Sequence, residues 1–134
     1  MIPFEFVIPG RPVSQQARRR SRVHEWTQRV NQIASSAWTA QHSQPAATAA
    51  ILLFYLYDEV RLDADNIVKP ILDGIMGIVF DDDSVVSDIV IRRRCLADVV
   101  QSDAVSSTLA AAFDRSEEFI YVRVEDAPAQ DALP

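Results

Sequence analysis

Two spacings of apolar residues alternate along the chain, one typical of strands and one typical of helices. Strict alternation of apolar side chains over residues 2–8 predicts a strand, which the following Pro9 and Gly10 end. From Val23 onward apolar residues recur every three or four positions. This spacing predicts a helix with a buried face, ending within residues 41–45.

The same alternation continues through the rest of the chain. Residues 48–57 are nearly all apolar, which predicts a central strand covered on both faces. A helical stripe follows over residues 65–78, but it contains Pro70. Proline is tolerated only in a first turn, so this helix should start late or have a distorted first turn. The remaining elements are expected to be a strand over 85–95, a short helix over 102–113 capped by Ser102 or Asp103, and a strand over 118–124.

The resulting order, β-α-β-α-β-(α)-β, predicts an α/β (α+β) fold in one small domain. A mixed β-sheet with two main helices packed on it accounts for the pattern, although the order of its strands cannot be deduced from the sequence. The length of 134 residues suits one domain with its own core. We expect this domain to span residues 1–125, and residues 126–134 to form a disordered acidic tail.

Several classes of protein are disfavoured by composition. No apolar run approaches the roughly 20 residues of a membrane helix, and the opening segment MIPFEF has no features of a signal peptide. A single cysteine, Cys95, excludes an internal disulfide framework and is best interpreted as a small buried apolar residue. A cytoplasmic protein without membrane contact is therefore expected.

Charge is distributed unevenly along the chain. The net charge of −6 argues against a simple nucleic-acid binder, because affinity for phosphate comes from basic groups. However, residues 1–50 hold six arginines against two glutamates, giving +4, whereas residues 98–134 hold two arginines against eight acids, giving −6. This asymmetry favours one face for a polyanion, although a solvated mixed-charge surface is an equally good interpretation of the charge pattern alone. The candidate phosphate-binding residues are Arg18, Arg19, Arg20, Arg22, Arg92 and Arg94.

Two acidic segments flank the predicted second helix. Asp63 and Asp65 precede it in the stretch RLDADNIVKP, and the triplet at residues 81–83 follows it. A helix over residues 65–78 is roughly 20 Å long, so the two segments can meet only if the chain doubles back after Gly77. Carboxylates that meet repel one another unless a cation neutralises them.

Oxygen ligands of this kind suit Mg²⁺ or Mn²⁺ rather than zinc, and the two histidines, His24 and His42, are far apart in sequence. A carboxylate-bound Mg²⁺ generates a hydroxide-like nucleophile and shields an incoming phosphate, which suits phosphodiester hydrolysis. No small-molecule cofactor is indicated.

Lys69 is the only lysine in the chain, one helical turn after Asp65. It is suited to stabilising a phosphorane-like transition state or to orienting the attacking water. The simpler alternative is an ion pair with Asp65 or Asp73, both four residues away. Asp73 is expected to order Lys69 rather than to bind metal, and Asn66 is expected to cap the helix.

Taken together, these segments resemble the RusA-type Holliday junction resolvases. The segment RLDADNIVKPILDGIMG, followed by DDDSVV, is similar to the family pattern. That pattern is Asp-x-Asp-Asn, a lysine four residues after the second Asp, another Asp four residues further on, and an Asp-Asp pair before a hydrophobic strand. The opening FVIPGRPVSQQARRR is similar to the start of the family, a strand ending in Pro-Gly and a basic loop. The resemblance spans roughly residues 4–95.

This resemblance implies a homodimeric endonuclease that requires Mg²⁺ or Mn²⁺ and cuts four-way DNA junctions symmetrically. It implies that Asp63, Asp65 and Asp83 are the catalytic metal ligands and that Lys69 is the catalytic group that positions the base or stabilises charge. Asp82 is the alternative to Asp83, because the acidic triplet leaves the register ambiguous by one; Asp83 is preferred because it directly precedes the segment SVV.

The sequence therefore predicts a metal-dependent, structure-selective DNA endonuclease. The alternative is a non-catalytic module on the same fold that binds branched DNA or a protein partner without cutting. A cleavage assay on labelled junctions, with and without divalent metal, separates the two.

Overall fold

The computed structural model describes residues 4–38, 49–57, 63–78, 86–98, 105–129 and 131. None of the helices within these ranges combines the length and the hydropathy that a membrane span requires. The elements are β1 (Phe4–Pro9), α1 (Arg20–Ala37), β2 (Ala49–Tyr57), α2 (Ala64–Ile75), β3 (Val86–Cys95), α3 (Ser107–Asp114) and β4 (Phe119–Asp126), with one turn of 3₁₀ helix at Leu96–Asp98.

The four strands form one mixed sheet in the order β1-β4-β2-β3. β4 is antiparallel to both of its neighbours, whereas β2 and β3 are parallel. A parallel pair cannot be joined by a tight turn, and α2 lies in the connection between these two strands. The predicted α/β (α+β) class and the mixed sheet are confirmed, and β2 is an interior strand as expected.

The predicted element types are correct, but several boundaries are not. α1 begins three residues before Val23 and ends at Ala37, earlier than the expected range of 41–45, because Trp38 adopts an extended conformation. α3 begins at Ser107, so neither Ser102 nor Asp103 caps it. Its cap is Ser106, whose hydroxyl accepts a hydrogen bond from the backbone N–H of Leu109.

One face of the sheet is covered by α1 and α2, and it holds the main core. The alternating residues of β1 and β4 that face this side pack against one stripe from each helix. Burial of these side chains removes them from water and supplies most of the stabilising free energy of folding. The fully or nearly fully buried members are Phe4, Phe6, Ile8, Trp26, Val30, Ala34, Ile67, Ile71, Ile75, Ile120, Val122 and Val124.

The opposite face carries α3 and a smaller cluster of buried side chains, in which Leu109 and Ala112 pack against Phe119 and Tyr121. A polar network holds this layer in place. The Glu5 carboxylate on β1 accepts hydrogen bonds from the hydroxyls of Tyr121 and of Ser106, the latter at 2.8 Å. The residue that caps α3 is therefore also bound to the sheet.

The two main helices pack closely at Gly74. A Cβ atom at this position would lie 2.6 Å from Cγ1 and 2.7 Å from Cβ of Val30. The Asn31 side-chain amide also donates a 2.9 Å hydrogen bond to the Gly74 carbonyl. Because glycine has no side chain, the backbone of α2 lies directly against Val30 of α1 here. This contact sets the position of α2 on the sheet.

We expect Gly74→Ala to destabilise the protein. Helix propensity alone favours alanine by about 1 kcal/mol, but forcing an extra carbon against Val30 costs roughly 1–3 kcal/mol, so the steric effect should prevail. Urea unfolding measures the difference. Val30→Ala removes Cγ1 but leaves Cβ 2.7 Å from the new carbon, so in that background the cost should fall only in part. A stabilising effect of Gly74→Ala would contradict the packing described here.

Tyr121→Phe should lower the unfolding free energy by about 1–2 kcal/mol at neutral pH, because the partly buried Glu5 carboxylate loses one of its hydrogen-bond donors. Burial and the neighbouring Glu5 raise the pKa of Tyr121 above its ordinary value of 10.0. Above pH 10 the unfolded chain therefore loses the tyrosine proton before the folded protein does, and stability falls as pH rises. Thermal unfolding at pH 9 and pH 11 should show a smaller loss for Tyr121→Phe than for the wild type.

Candidate active site

The first turn of α2 presents two carboxylates to solvent. Asp63 occupies the N-cap position and Asp65 lies in the first turn, and both side chains are exposed. Asp63 makes no capping hydrogen bond to α2, so its carboxylate is not committed to the helix. Asn66 was expected to cap the helix, but it is the third helical residue, and Asp63 occupies the cap position. Negative charge at this end is favoured by the helix dipole.

Pro70 lies inside α2 without breaking it. The helix runs from Ala64 to Ile75, so the expected late start is wrong. Proline has no N–H, and the carbonyl that would accept it, four residues earlier, belongs to Asn66. That carbonyl instead accepts a 2.9 Å hydrogen bond from the backbone N–H of Gln15, in the loop that follows β1. This external donor explains why proline is tolerated here.

The acidic turn lies at one particular end of the sheet. Pro9 and Leu56 both pair with Phe119, and Leu56 also pairs with Arg94, so the carboxyl ends of β1, β2 and β3 lie together. The bond from the Gln15 loop attaches the start of α2 to the chain leaving β1 at that end. In open sheets with parallel strands, ligand sites commonly lie beyond the carboxyl ends of the strands.

Lys69 forms an ion pair with Asp73, its Nζ lying 2.7 Å from Oδ1. Asp73 is one of the two predicted ion-pair partners, and this contact agrees with the expectation that Asp73 orders the lysine. Lys69 lies one turn beyond Asp65 on the same helix, and its side chain is about half exposed. The ion pair therefore holds the ammonium group near the acidic turn, and the lysine side chain remains partly exposed to solvent.

The second acidic segment, Asp81 to Asp83, lies outside the described residues, so the predicted convergence with Asp63 and Asp65 stays a prediction. Within the described part of the chain, no three His, Cys, Asp or Glu side chains are grouped closely enough to hold a metal ion. Asp63 and Asp65 are thus the described half of the predicted ligand set. His24 is exposed on α1, and His42 lies outside the described residues.

The first basic group surrounds the start of α1, at the same end of the sheet as the acidic turn. Arg18, Arg19, Arg20 and Arg22 are all exposed. The first turn of α1 contains no acidic residue and its N-cap makes no side-chain capping bond, so the partial positive charge of the helix end is not offset locally. An anion such as phosphate is favoured at such a position.

The second basic group is on β3, an outer strand of the described sheet. Arg92, Arg93 and Arg94 are exposed near its carboxyl end. Arg92 and Arg94 pair with Phe54 and Leu56, which puts them on the same face, as predicted. That face is the one covered by α3. Alternation puts Arg93 on the α2 face, and this residue is absent from the predicted set although the unbroken RRR triplet contains it.

One comparison with known proteins finds a matching protein family. The model of a protein family described as endodeoxyribonuclease RusA matches residues 9–104, which is 96 of the 134 residues. The matched span includes both acidic segments, Lys69 and both groups of arginines. No curated protein matches the chain.

Asp73→Asn should change the unfolding free energy by less than about 0.5 kcal/mol, because ion pairs four residues apart on an exposed helix surface contribute little. Urea unfolding at low and high salt measures it. A loss of several kcal/mol would show that this pair is part of a larger buried network, contrary to the geometry described above.

Proposed function

The chain belongs to the RusA endodeoxyribonuclease family, and from this membership we propose that it is a metal-dependent endonuclease that resolves Holliday junctions by paired symmetric nicks. The observation that carries the proposal is the location of the exposed Asp63 and Asp65 at the same end of the sheet as the arginine-rich start of α1. Carboxylates beside arginines suit a site that must hold both a cation and a phosphate.

The donor set fits Mg²⁺ or Mn²⁺. Asp63 and Asp65 offer exposed carboxylate oxygens two residues apart, and hard divalent cations prefer oxygen ligands. Asp83, with Asp82 as the alternative, would complete the set. When bound, the metal lowers the pKa of a coordinated water and offsets the charge of the scissile phosphate.

Lys69 would act on the same phosphate. Its ion pair with Asp73 restricts the long side chain to one region of the α2 surface, one turn from Asp65. An ammonium group fixed there stabilises the additional negative charge that develops on the phosphate oxygens in the transition state. The arginines contact the DNA backbone, and since phosphate contacts carry no sequence information, the enzyme recognises shape rather than sequence.

A homodimer is supported by the direction of the strands. Because β2 and β3 are parallel, α2 begins near their carboxyl ends, whereas β3 begins with Val86 at the opposite end, and Asp83 precedes Val86 by three residues in the sequence. Three residues span at most about 11 Å, whereas the nine residues of β2 span roughly 26 Å. We propose that Asp63 and Asp65 share the metal with Asp83 of the partner subunit. A two-fold axis then also provides two sites for two symmetric nicks.

The alternative function is a module that binds branched DNA or a protein without cutting. It predicts junction binding in any metal, with no cleavage product. The exposed carboxylates of Asp63 and Asp65 favour the nuclease, because a module that binds phosphate alone gains nothing from acidic groups at the same end of the sheet as its arginines.

We expect Asp65→Asn to reduce cleavage of a four-way junction by at least about 100-fold, because a metal ligand is lost. The assay uses labelled junctions and linear duplex with Mg²⁺, Mn²⁺ or EDTA, and binding is measured separately in Ca²⁺. Asp114→Asn, an exposed acid on α3, is the charge-matched control and should cleave normally. Cleavage that persists in EDTA or in Asp65→Asn contradicts the proposed mechanism.

Mixing two inactive variants tests the shared site. A subunit carrying Asp65→Asn and a subunit carrying Asp82→Asn with Asp83→Asn should each be inactive as homodimers. In their heterodimer, one of the two shared sites keeps every carboxylate, so the mixture should nick one strand of the junction. If each site is built within one subunit, both sites of the heterodimer are defective and no activity returns.

A further inference from the structure

The backbone of Gln15 joins the basic and acidic parts of the candidate site. Its N–H donates to the Asn66 carbonyl of α2 at 2.9 Å. Its own carbonyl accepts a hydrogen bond from the Arg20 guanidinium at 2.5 Å. One residue is thus bound on one side to the first turns of α2, beside Asp65, and on the other side to the first turn of α1.

The loop around Gln15 is held from both sides of this residue. Val13 packs against the main core. Ser14 forms a turn with Ala17, whose N–H donates to the Ser14 carbonyl at 3.0 Å, and the Ser14 hydroxyl accepts from the backbone N–H of Gln16. The arginines follow directly after this turn, so any movement of the turn moves them relative to α2.

Pro70 is the reason that the Asn66 carbonyl is available to the loop. In an uninterrupted helix the N–H of residue 70 would occupy this carbonyl. We propose that Pro70 is a positioning residue: by leaving the Asn66 carbonyl without a donor from its own helix, it makes α2 bind the Gln15 loop and fixes the phosphate-binding arginines at a set position relative to Asp65. The part of this proposal that concerns cleavage rests on the proposed function.

Two variants break the hydrogen bond between the Gln15 N–H and the Asn66 carbonyl, one by a change in α2 and one by a change in the loop. Pro70→Ala supplies an N–H that competes for the Asn66 carbonyl, but it also removes a buried ring. Gln15→Pro removes the donor and keeps the ring of Pro70. Gln15 is the second residue of the Ser14–Ala17 turn and has a negative φ, a position that proline favours, so the turn itself should survive. Gln15→Ala keeps the N–H and is the matched control.

The first measurement needs no DNA. In both Pro70→Ala and Gln15→Pro, the Ala17 amide hydrogen should exchange with solvent about five to ten times faster than in the wild type, because one hydrogen bond that holds the loop is lost. Trypsin should also cut faster after the arginines of the loop. Gln15→Ala should match the wild type in both. If Gln15→Pro leaves the loop as protected as in the wild type, the proposal is wrong and any effect of Pro70→Ala comes from its ring.

The second measurement is the position of cleavage on a four-way junction. Both variants should cut at neighbouring phosphodiesters as well as at the wild-type position, whereas a protein that is merely less stable cuts less at the same position. A loosened loop with unchanged cut positions overturns the positioning role.

If the wild type binds junctions without cutting them, the proposed function fails separately. The positioning role of Pro70 is then tested by hydroxyl-radical protection of the junction backbone. The boundaries of the protected region should shift in both variants and not in Gln15→Ala, and unshifted boundaries would overturn it.

Discussion

The parallel pairing of β2 with β3 is the constraint on which the arrangement of the molecule depends. A parallel pair obliges the chain to return across the sheet, and α2 lies in that return. The start of α2 consequently lies toward the carboxyl ends of the strands, where the loop after β1 also emerges. The acidic turn and the arginines come together because of strand direction, although β1 and β3 lie on opposite edges of the sheet.

The position of α2 depends further on two close backbone contacts. Gly74 brings the carboxyl-terminal half of the helix against α1, with Asn31 bonded to its carbonyl. The Asn66 carbonyl holds the first turns against the Gln15 loop. Since interiors are packed as densely as organic crystals, a helix held at both halves transmits small displacements rather than absorbing them. The exposed carboxylates are therefore carried on a rigid element.

Much of the fold was predictable from the spacing of apolar residues, because burial on one side of a strand or helix leaves a period in the sequence. β2, α2 and β3 were each predicted within about three residues, and α2 kept its stripe of Ile67, Ile71 and Ile75. The start of α1 was missed because arginine and serine in its first turn carry no apolar signal. Pro70 was misinterpreted because its compensation is a hydrogen bond from a residue 55 positions away, which local pattern cannot show. The order of the strands is likewise a long-range property.

Part of the candidate site could be predicted from residue type and spacing, namely Asp63, Asp65 and the Lys69–Asp73 pair. The face of the sheet on which Arg93 lies could not, because it depends on strand register.

The described charges differ between the two ends of the sheet. Arginines lie toward the carboxyl ends of β1 and β3, at the end that also carries Asp63 and Asp65, whereas Glu125 and Asp126 end β4 beside Ala50 and Ala49, at the far end of the sheet. A polyanion that comes within a Debye length, about 10 Å at 0.1 M salt, is attracted by the arginines and repelled by the acidic end of β4. Local attraction is therefore compatible with an acidic total, and low ionic strength extends the range of both effects.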